Sequence, residues 1–511
     1  MIMRANQLKK TGTQKIGLIL GPILFVLALC LDLDPSHPVV SRMAAVAALM
    51  ATWWITEAIP ISATALLPMV FFPLLGILKA KTTAPIYFNS TIFLFIGGFV
   101  IALTMEKWRL HRRIALWIIR LIGGGPSRIV LGFMVASAFL SMWISNTATA
   151  IMMLPIGLAI IYQMENEFDI EATHNFTLAL LLGIAYACSV GGIATIVGTP
   201  PNLSFVRIFK ITFPDAEPIS FGQWFIMGLP LSIVMLLAVW LFLTKIMYRP
   251  SADLAVDQSI VKNEYRALGR MNFEEKVVLA VFAATAFLWV FRKKIVLGSI
   301  TIPGWSQFLP YPNMIDDGSV ALTMTLILFL IPSKSPGAVS PTITDVDVIK
   351  KLPWDIVLLF GGGFALAKGF QVTGLSSLIG NKFSGLAGMS PLLMVFLICL
   401  MITFLTELTS NTATTEMILP ILASVAIGLK INPLMLMIPA TLSASCAFMM
   451  PVATPPNAII FGSGRVTISE MARGGLVINL IGVILISLFF YFVGTAIFSI
   501  DPNTLPAWGN F

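Results

Sequence analysis

Apolar runs of roughly 17–25 residues, the length a helix needs to cross about 30 Å of hydrocarbon, recur along the whole sequence with few charged residues between them. In that solvent every backbone N–H and C=O must be paired within the segment or its closed sheet, so a spanning chain is a set of helices or a barrel. The runs here are continuous and lack the in/out alternation of barrel strands, which selects helices. Only 11% of the residues are charged, against about 25% in soluble domains, and an ordinary cytosolic enzyme is thereby excluded. The net charge of +8 is read as an excess of Lys and Arg in cytoplasmic loops. No basic run with interleaved aromatics suggests a nucleic-acid partner. Cys30, Cys188, Cys399 and Cys446 lie in apolar segments without CxxC spacing, and are read as small core residues free of disulfide or metal. Residues 1–16 are polar and basic (Arg4, Lys9, Lys10, Lys15), and the first apolar run, with no clear cleavage site after it, is read as a retained helix.

With Lys and Arg marking the cytoplasmic loops, helices are expected at 17–31, 41–57, 61–78 and 91–106. The stretch "EKWRLHRRIALWIIRLIGGGPSR" follows, its cations interleaved with apolar residues, and reads as an amphipathic helix at the cytoplasmic interface. Further apolar segments run at 131–165, 173–209, 222–247, 276–292, 318–332, 353–370, 390–425, 432–464 and 474–498. The loop alternation holds only if 131–165 and 390–425 enter the membrane and return to the same side. The expectation is therefore an all-α polytopic protein of about eleven spans plus two re-entrant hairpins, with its N-terminus cytoplasmic and its C-terminus outside.

The two hairpin segments carry the same motif. "SNTATAIMMLPI" at 145–156 and "SNTATTEMILPI" at 410–421 share nine of twelve residues, 265 positions apart. "FIGGFVIAL" at 95–103 matches "FGGGFALAK" at 360–368 with the same offset, and "GTPPN" at 198–202 matches "ATPPN" at 453–457 with an offset of 255. An odd number of expected spans separates the copies, so the repeats have opposite orientation. Inverted repeats with broken helices mark secondary transporters whose site lies near the midplane. The expected organisation is 1–90 scaffold, 91–215 first repeat, 216–352 scaffold with a cytoplasmic loop at 248–275, 353–498 second repeat, and 499–511 external tail.

Each motif breaks a helix in hydrocarbon, where irregular backbone is tolerated only in protein or around a watery cavity. The hairpin tips are expected at Ser145–Asn146–Thr147 and its copy. Prolines are expected to unwind 198–202 and 453–457, because they remove N–H donors and push the preceding residue out of the α region. No Lys, Arg or His falls within the motifs, whereas Asn amides, Thr hydroxyls and helix N-termini suit carboxylate oxygens. An anion bound there needs cations held by neutral oxygens. Ser141 precedes Ser145, and Thr406 precedes Ser410, by one helical turn on one face, an arrangement suited to sodium. Glu407 and Glu416 have no counterparts in the first motif, and are candidates for tuning charge or relaying a proton. No GxSxG or HExxH context surrounds the motif serines, which argues against an enzyme.

The paired SNT motifs, the GTPPN/ATPPN pair and "WWITEAIP" at 53–60 resemble the divalent anion/sodium symporter family over essentially the whole chain. The resemblance implies a homodimeric elevator transporter of the bacterial inner membrane with no organic cofactor. It implies one sodium site at Ser141, Ser145, Asn146 and the backbone of Gly198, and another at Thr406, Ser410, Asn411 and the backbone of Ala453. Substrate carboxylates would meet Asn146, Thr147, Asn411 and Thr412, with Thr199, Thr454 and Pro455 nearby. The expected activity is sodium-coupled symport of C4-dicarboxylates such as succinate, malate or fumarate. A sodium-independent dicarboxylate exchanger and a sodium-coupled citrate or sulfate transporter are the alternatives.

Overall fold

The computed structural model describes residues 10–251, 254, 259–297, 300–335, 340–383 and 388–509. Arg4 and Lys9 of the basic amino terminus lie outside the described residues, as does part of the loop 248–275. Among the described residues the chain is helical apart from one isolated bridge and a short antiparallel hairpin, Ile295–Leu297 with Ile300–Ile302, in the Pro/Gly-rich loop. The hairpin is a local departure from the all-α expectation.

Eight helices among the described residues are long and apolar enough to cross a membrane, but one of them, Asn146–Glu167, belongs to an expected hairpin, which leaves seven of the eleven expected spans. Of the other four, 61–78 and 432–464 are interrupted, Asp317–Leu330 is short, and Phe273–Val290 carries Glu274, Glu275 and Lys276 in its first turn. The stretch 61–78 is not one helix: it splits into Ile61–Thr64 and Leu67–Leu74, and a further short helix, Ala80–Tyr87, follows. Pro60, Pro68 and Pro73 set the starts and stops, and Gly76 takes the left-handed turn at φ +69° that ends the segment.

Burial sorts the spans. Helix Gly12–Cys30 is 11% buried, while Ile170–Gly192 is 94% buried. The first packs mainly on Val39–Thr56, where Gly17 and Gly21 admit Thr56 and Trp53 and the Trp53 indole donates to the Gly17 carbonyl at 3.1 Å, and its Phe25 also meets Phe71. Most of its surface is left exposed. Cys30 is accordingly exposed, contrary to the core reading, whereas Cys188, Cys399 and Cys446 are buried and all four are free thiols. Helix Ile170–Gly192 is the post around which the first hairpin, Phe221–Leu241 and Pro455–Phe461 assemble.

The hairpins follow from helix length. Pro126–Ser141 and Pro391–Thr406 have 16 residues each, about 24 Å at 1.5 Å per residue, too short to cross about 30 Å. The chain turns over 142–145 and returns as Asn146–Glu167, and turns over 407–410 and returns as Asn411–Gly428. Both return arms contain a proline at the matching position, Pro155 and Pro420. The tips thus sit just before the expected Ser145–Asn146–Thr147, and Asn146 is already helical. Ser145 is the N-cap, its Oγ accepting the Ala148 N–H at 3.1 Å, a role in which serine is strongly preferred.

The loops read as cytoplasmic meet at one end. Arg465 forks onto Glu165 at 2.6 and 3.0 Å, Tyr248 donates to the Glu470 carbonyl at 2.6 Å, and Lys107 pairs with Asp345 at 2.7 Å. The Lys107 ammonium beside Asp345 holds that carboxyl below the usual carboxylate range. The amphipathic stretch forms helix Leu110–Ile122, which buries Leu116 and Ile119 and leaves Trp117 and Leu121 exposed. Its Arg113 is buried, pairing with Glu275 at 3.0 Å and donating to the carbonyls of Leu268 and Gly269. In the tail 499–511, Trp508 stacks edge-on against Phe209 and Phe213.

Candidate functional site

The two helix breaks lie before the proline pairs, not across them. The first helix ends at Gly192 and restarts at Pro200, leaving 193–199 unwound; the second ends at Ala444 and restarts at Pro455, leaving 445–454 unwound. The expected segments 198–202 and 453–457 are therefore shifted. Proline fits the first turn of a helix, where its missing N–H has no partner to lose. Thr199 (φ −144°, ψ 142°) and Thr454 (φ −139°, ψ 148°) take the extended conformation that a following proline imposes.

The two hairpin ends and the two breaks line one cavity of about 690 Å³. Ser145, Asn146 and Thr147 face it from one hairpin, and Ser410, Asn411 and Thr412 from the other. Gly198 and Thr199 reach it from the first break, Ala453, Thr454 and Pro455 from the second. Every sequence-predicted site residue thus borders this space except Ser141 and Thr406, which are fully buried behind it.

Those two hydroxyls orient the asparagines. Ser141 Oγ donates to Asn146 Oδ1. Thr406 Oγ1 lies 2.6 Å from Asn411 Oδ1 and 3.0 Å from the Ala444 carbonyl oxygen, with one proton to share between two acceptors. In the first repeat a Cβ placed on Gly192 would stand 3.1 Å from both Asn146 Oδ1 and Gly198 O. Each repeat therefore gathers neutral oxygens into a small cradle, a donor set that fits a hard cation such as sodium. The hairpin helices direct their N-termini at the same cavity, and unsatisfied N–H groups there attract anions. At the breaks the prolines delete the competing N–H donors, so those sides offer carbonyls instead. Amides for an anion and carbonyls for cations thus sit side by side.

Among the described residues the cavity lining includes Glu57 and Asp355 and no Lys, Arg or His. Leu408 and Val452, 73% and 86% exposed, place apolar surface on it from the second hairpin tip and the second break.

Two contacts were not legible as site features. Glu407 is buried, and its carboxyl oxygens accept from the backbone N–H groups of Phe448 (2.7 Å), Met449 (2.9 Å) and Met450 (3.0 Å) and from the Asn479 amide (2.7 Å). It clasps the hairpin tip to the second break. At the matching place in the first repeat Thr195 Oγ1 donates to the Met142 carbonyl at 2.5 Å. Glu416 is wholly buried, accepts from Ser204 and backs onto Gly363.

Comparison with known proteins covers nearly the whole chain. A family model described as the sodium:sulfate symporter transmembrane region matches residues 18–500. The chain is similar to the sodium-dependent dicarboxylate transporter SdcS of Staphylococcus saprophyticus, 42% identical over 96% of this chain and 93% of that one. It is 44% identical to the SdcS of Staphylococcus aureus, over 96% and 93%. In fold it is similar to the Alcanivorax borkumensis YdaH transporter, with a TM-score of 0.54 at 14% identity, over 88% of this chain and 98% of that one. The Neisseria gonorrhoeae MtrF structure gives the same TM-score and identity over 81% and 84%.

Proposed function

The chain belongs to the sodium:sulfate symporter family, the divalent anion/sodium symporters, and from that premise we propose that it is a sodium-coupled symporter of C4-dicarboxylates such as succinate, malate and fumarate. The observation that carries the reading is the charge of the cavity. It offers amide and hydroxyl donors to carboxylates, and among the described residues it holds two acidic side chains and no basic one. A dianion bound there needs its charge offset at close range, since a charge buried without a partner is strongly disfavoured. The two oxygen cradles are where co-transported sodium supplies that offset: Ser141, Ser145, Asn146 and Gly198 O in one, Thr406, Ser410, Asn411 and Ala453 O in the other. Asn146, Thr147, Asn411 and Thr412 then bind the carboxylates, with Thr199, Thr454 and Pro455 closing the space and Leu408 and Val452 covering the carbon chain. The names of the Staphylococcus relatives support both the sodium and the dicarboxylate.

In this reading the protein is an integral membrane protein of a bacterial plasma membrane, N-terminus cytoplasmic and C-terminus outside. The cavity, bordered by Thr11, Glu57 and Asp355, then opens inward. The two inverted repeats form a transport domain that carries the site across the membrane as an elevator, against scaffold helices at 1–90 and 216–352 that dimerise.

The test is radiolabelled succinate uptake into proteoliposomes under an inward sodium gradient, with choline as control. Uptake requires the sodium gradient, and Asn146→Ala and Asn411→Ala each lower it at least about tenfold, roughly 1.4 kcal/mol. Uptake that ignores sodium but needs internal dicarboxylate identifies an exchanger and refutes the proposal. Competition by citrate or sulfate in place of succinate assigns a different cargo.

A further inference from the structure

The asparagine that ends each proline motif is given no part in the transport reading, and the two copies share two matching bonds. Asn202 Nδ2 donates to the carbonyls of Gly192 at 3.2 Å and Thr195 at 2.7 Å, with a longer contact to Ile193 at 3.4 Å. Asn457 Nδ2 donates to those of Ala447 and Met450, both at 3.1 Å. With the 255-residue offset of the motif, Gly192 corresponds to Ala447 and Thr195 to Met450. The same device therefore occurs twice, in opposite halves of the molecule. Both asparagines are fully buried, and in both the side-chain oxygen finds no donor among the described residues. A buried unsatisfied carbonyl is destabilising, so it is the donor end of each amide that the site uses.

The physical need for that donor is local. An unbroken helix would satisfy the carbonyls of the preceding turn with the N–H groups of the residues that follow. Here the unwinding of 193–199 and 445–454 carries those residues out of helical reach, and Pro451, four residues after Ala447, has no N–H to give. One asparagine amide, with two N–H groups, ties off the carbonyls at the start of the break. Gly198 O and Ala453 O are among the carbonyls of the breaks that take no hydrogen bond among the described residues. They are the backbone oxygens of the two proposed cation cradles.

We propose that Asn202 and Asn457 are positioning residues for the co-transported cations. Each fixes the path of its unwound segment so that the free carbonyl of Gly198 or Ala453 faces the ion. The inference rests on the sodium-coupled reading and adds to it two residues that lie outside the cavity lining. Groups that orient metal ligands typically alter metal affinity by about 10–100-fold when removed. A mere structural staple would lower thermal stability and protein yield and leave cation affinity alone.

The experiment measures sodium half-saturation of succinate uptake in proteoliposomes for the wild-type protein, Asn202→Ala and Asn457→Ala, alongside the rise in melting temperature that sodium alone produces in detergent. Each variant is expected to raise the half-saturating sodium at least about tenfold and to shrink the sodium-induced stabilisation. The succinate KM, taken at saturating sodium, changes little by comparison. Asn202→Gln and Asn457→Gln keep the amide on a stem one methylene longer and are expected to fall between wild type and alanine. Wild-type half-saturation in folded alanine variants overturns the proposal. If the alanine variants do not fold, wild-type half-saturation in the glutamine variants overturns it equally. A wild-type protein whose uptake ignores sodium refutes the transport reading instead, so the two failures are distinguishable.

Discussion

Glu407 shows how much a single side chain can hold in an interrupted helix. Four N–H donors converge on its carboxyl group, three of them consecutive backbone amides of the second break. Alanine at this position leaves all four buried without an acceptor, at roughly 1–3 kcal/mol for each group that water cannot reach. The expected loss in Glu407→Ala is on the order of 4 kcal/mol, read as a lower melting temperature in detergent, with Glu407→Gln falling between it and wild type. An unchanged melting temperature in the alanine variant would show that the clasp does not hold the break. Its place beside the second motif makes Glu407 a candidate for charge tuning or a proton relay. Its partners give it a structural task that the first repeat performs with Thr195 and a backbone carbonyl. Glu416, the other candidate, is packed among helices and has one hydroxyl partner.

At the level of elements, the hairpins and breaks were legible because they are duplicated, and their edges were not. The SNT and TPPN motifs announce an irregular backbone in apolar sequence. The sequence does not say on which side of a proline pair the helix ends. The missing N–H suggests a breaker, yet the same missing N–H makes Pro200 and Pro455 good first residues of a helix, and Thr199 and Thr454 mark the true boundary. Ser145 and Ser410 both stand at the N-cap of the return arm, though only Ser145 makes the side-chain cap bond, so the turn falls just ahead of the asparagines. The split of 61–78 was likewise written in Pro68 and Pro73 but masked by continuous hydrophobicity. The sequence marks Asn202 and Asn457 only as the last residues of their motifs, since only the fold shows which carbonyls their amides reach. The two clasps also differ in strength, and local opening should follow. Backbone amides at 448–450, held by Glu407, are expected to exchange with solvent deuterium about tenfold more slowly than those at 193–195, a gap of roughly 1.4 kcal/mol. Equal exchange in the two breaks would mean that the repeats are matched in rigidity despite their different chemistry.

For the whole molecule, the decisive arrangement is that helix breaks 255 to 265 residues apart in sequence meet around one cavity of about 690 Å³. Neither half alone encloses it. The low charge of the chain, which points to a membrane, also shapes the site, which among the described residues has no cationic side chain to hold an anion. Cations and anion must therefore bind together, each raising the affinity of the other by the same factor, as linkage requires. The most direct test is equilibrium binding of succinate to the purified protein across a series of sodium concentrations at constant ionic strength. Affinity is predicted to be negligible without sodium and to rise with a power of the sodium concentration greater than one, since two cradles fill. Succinate binding of equal strength with and without sodium would contradict the account.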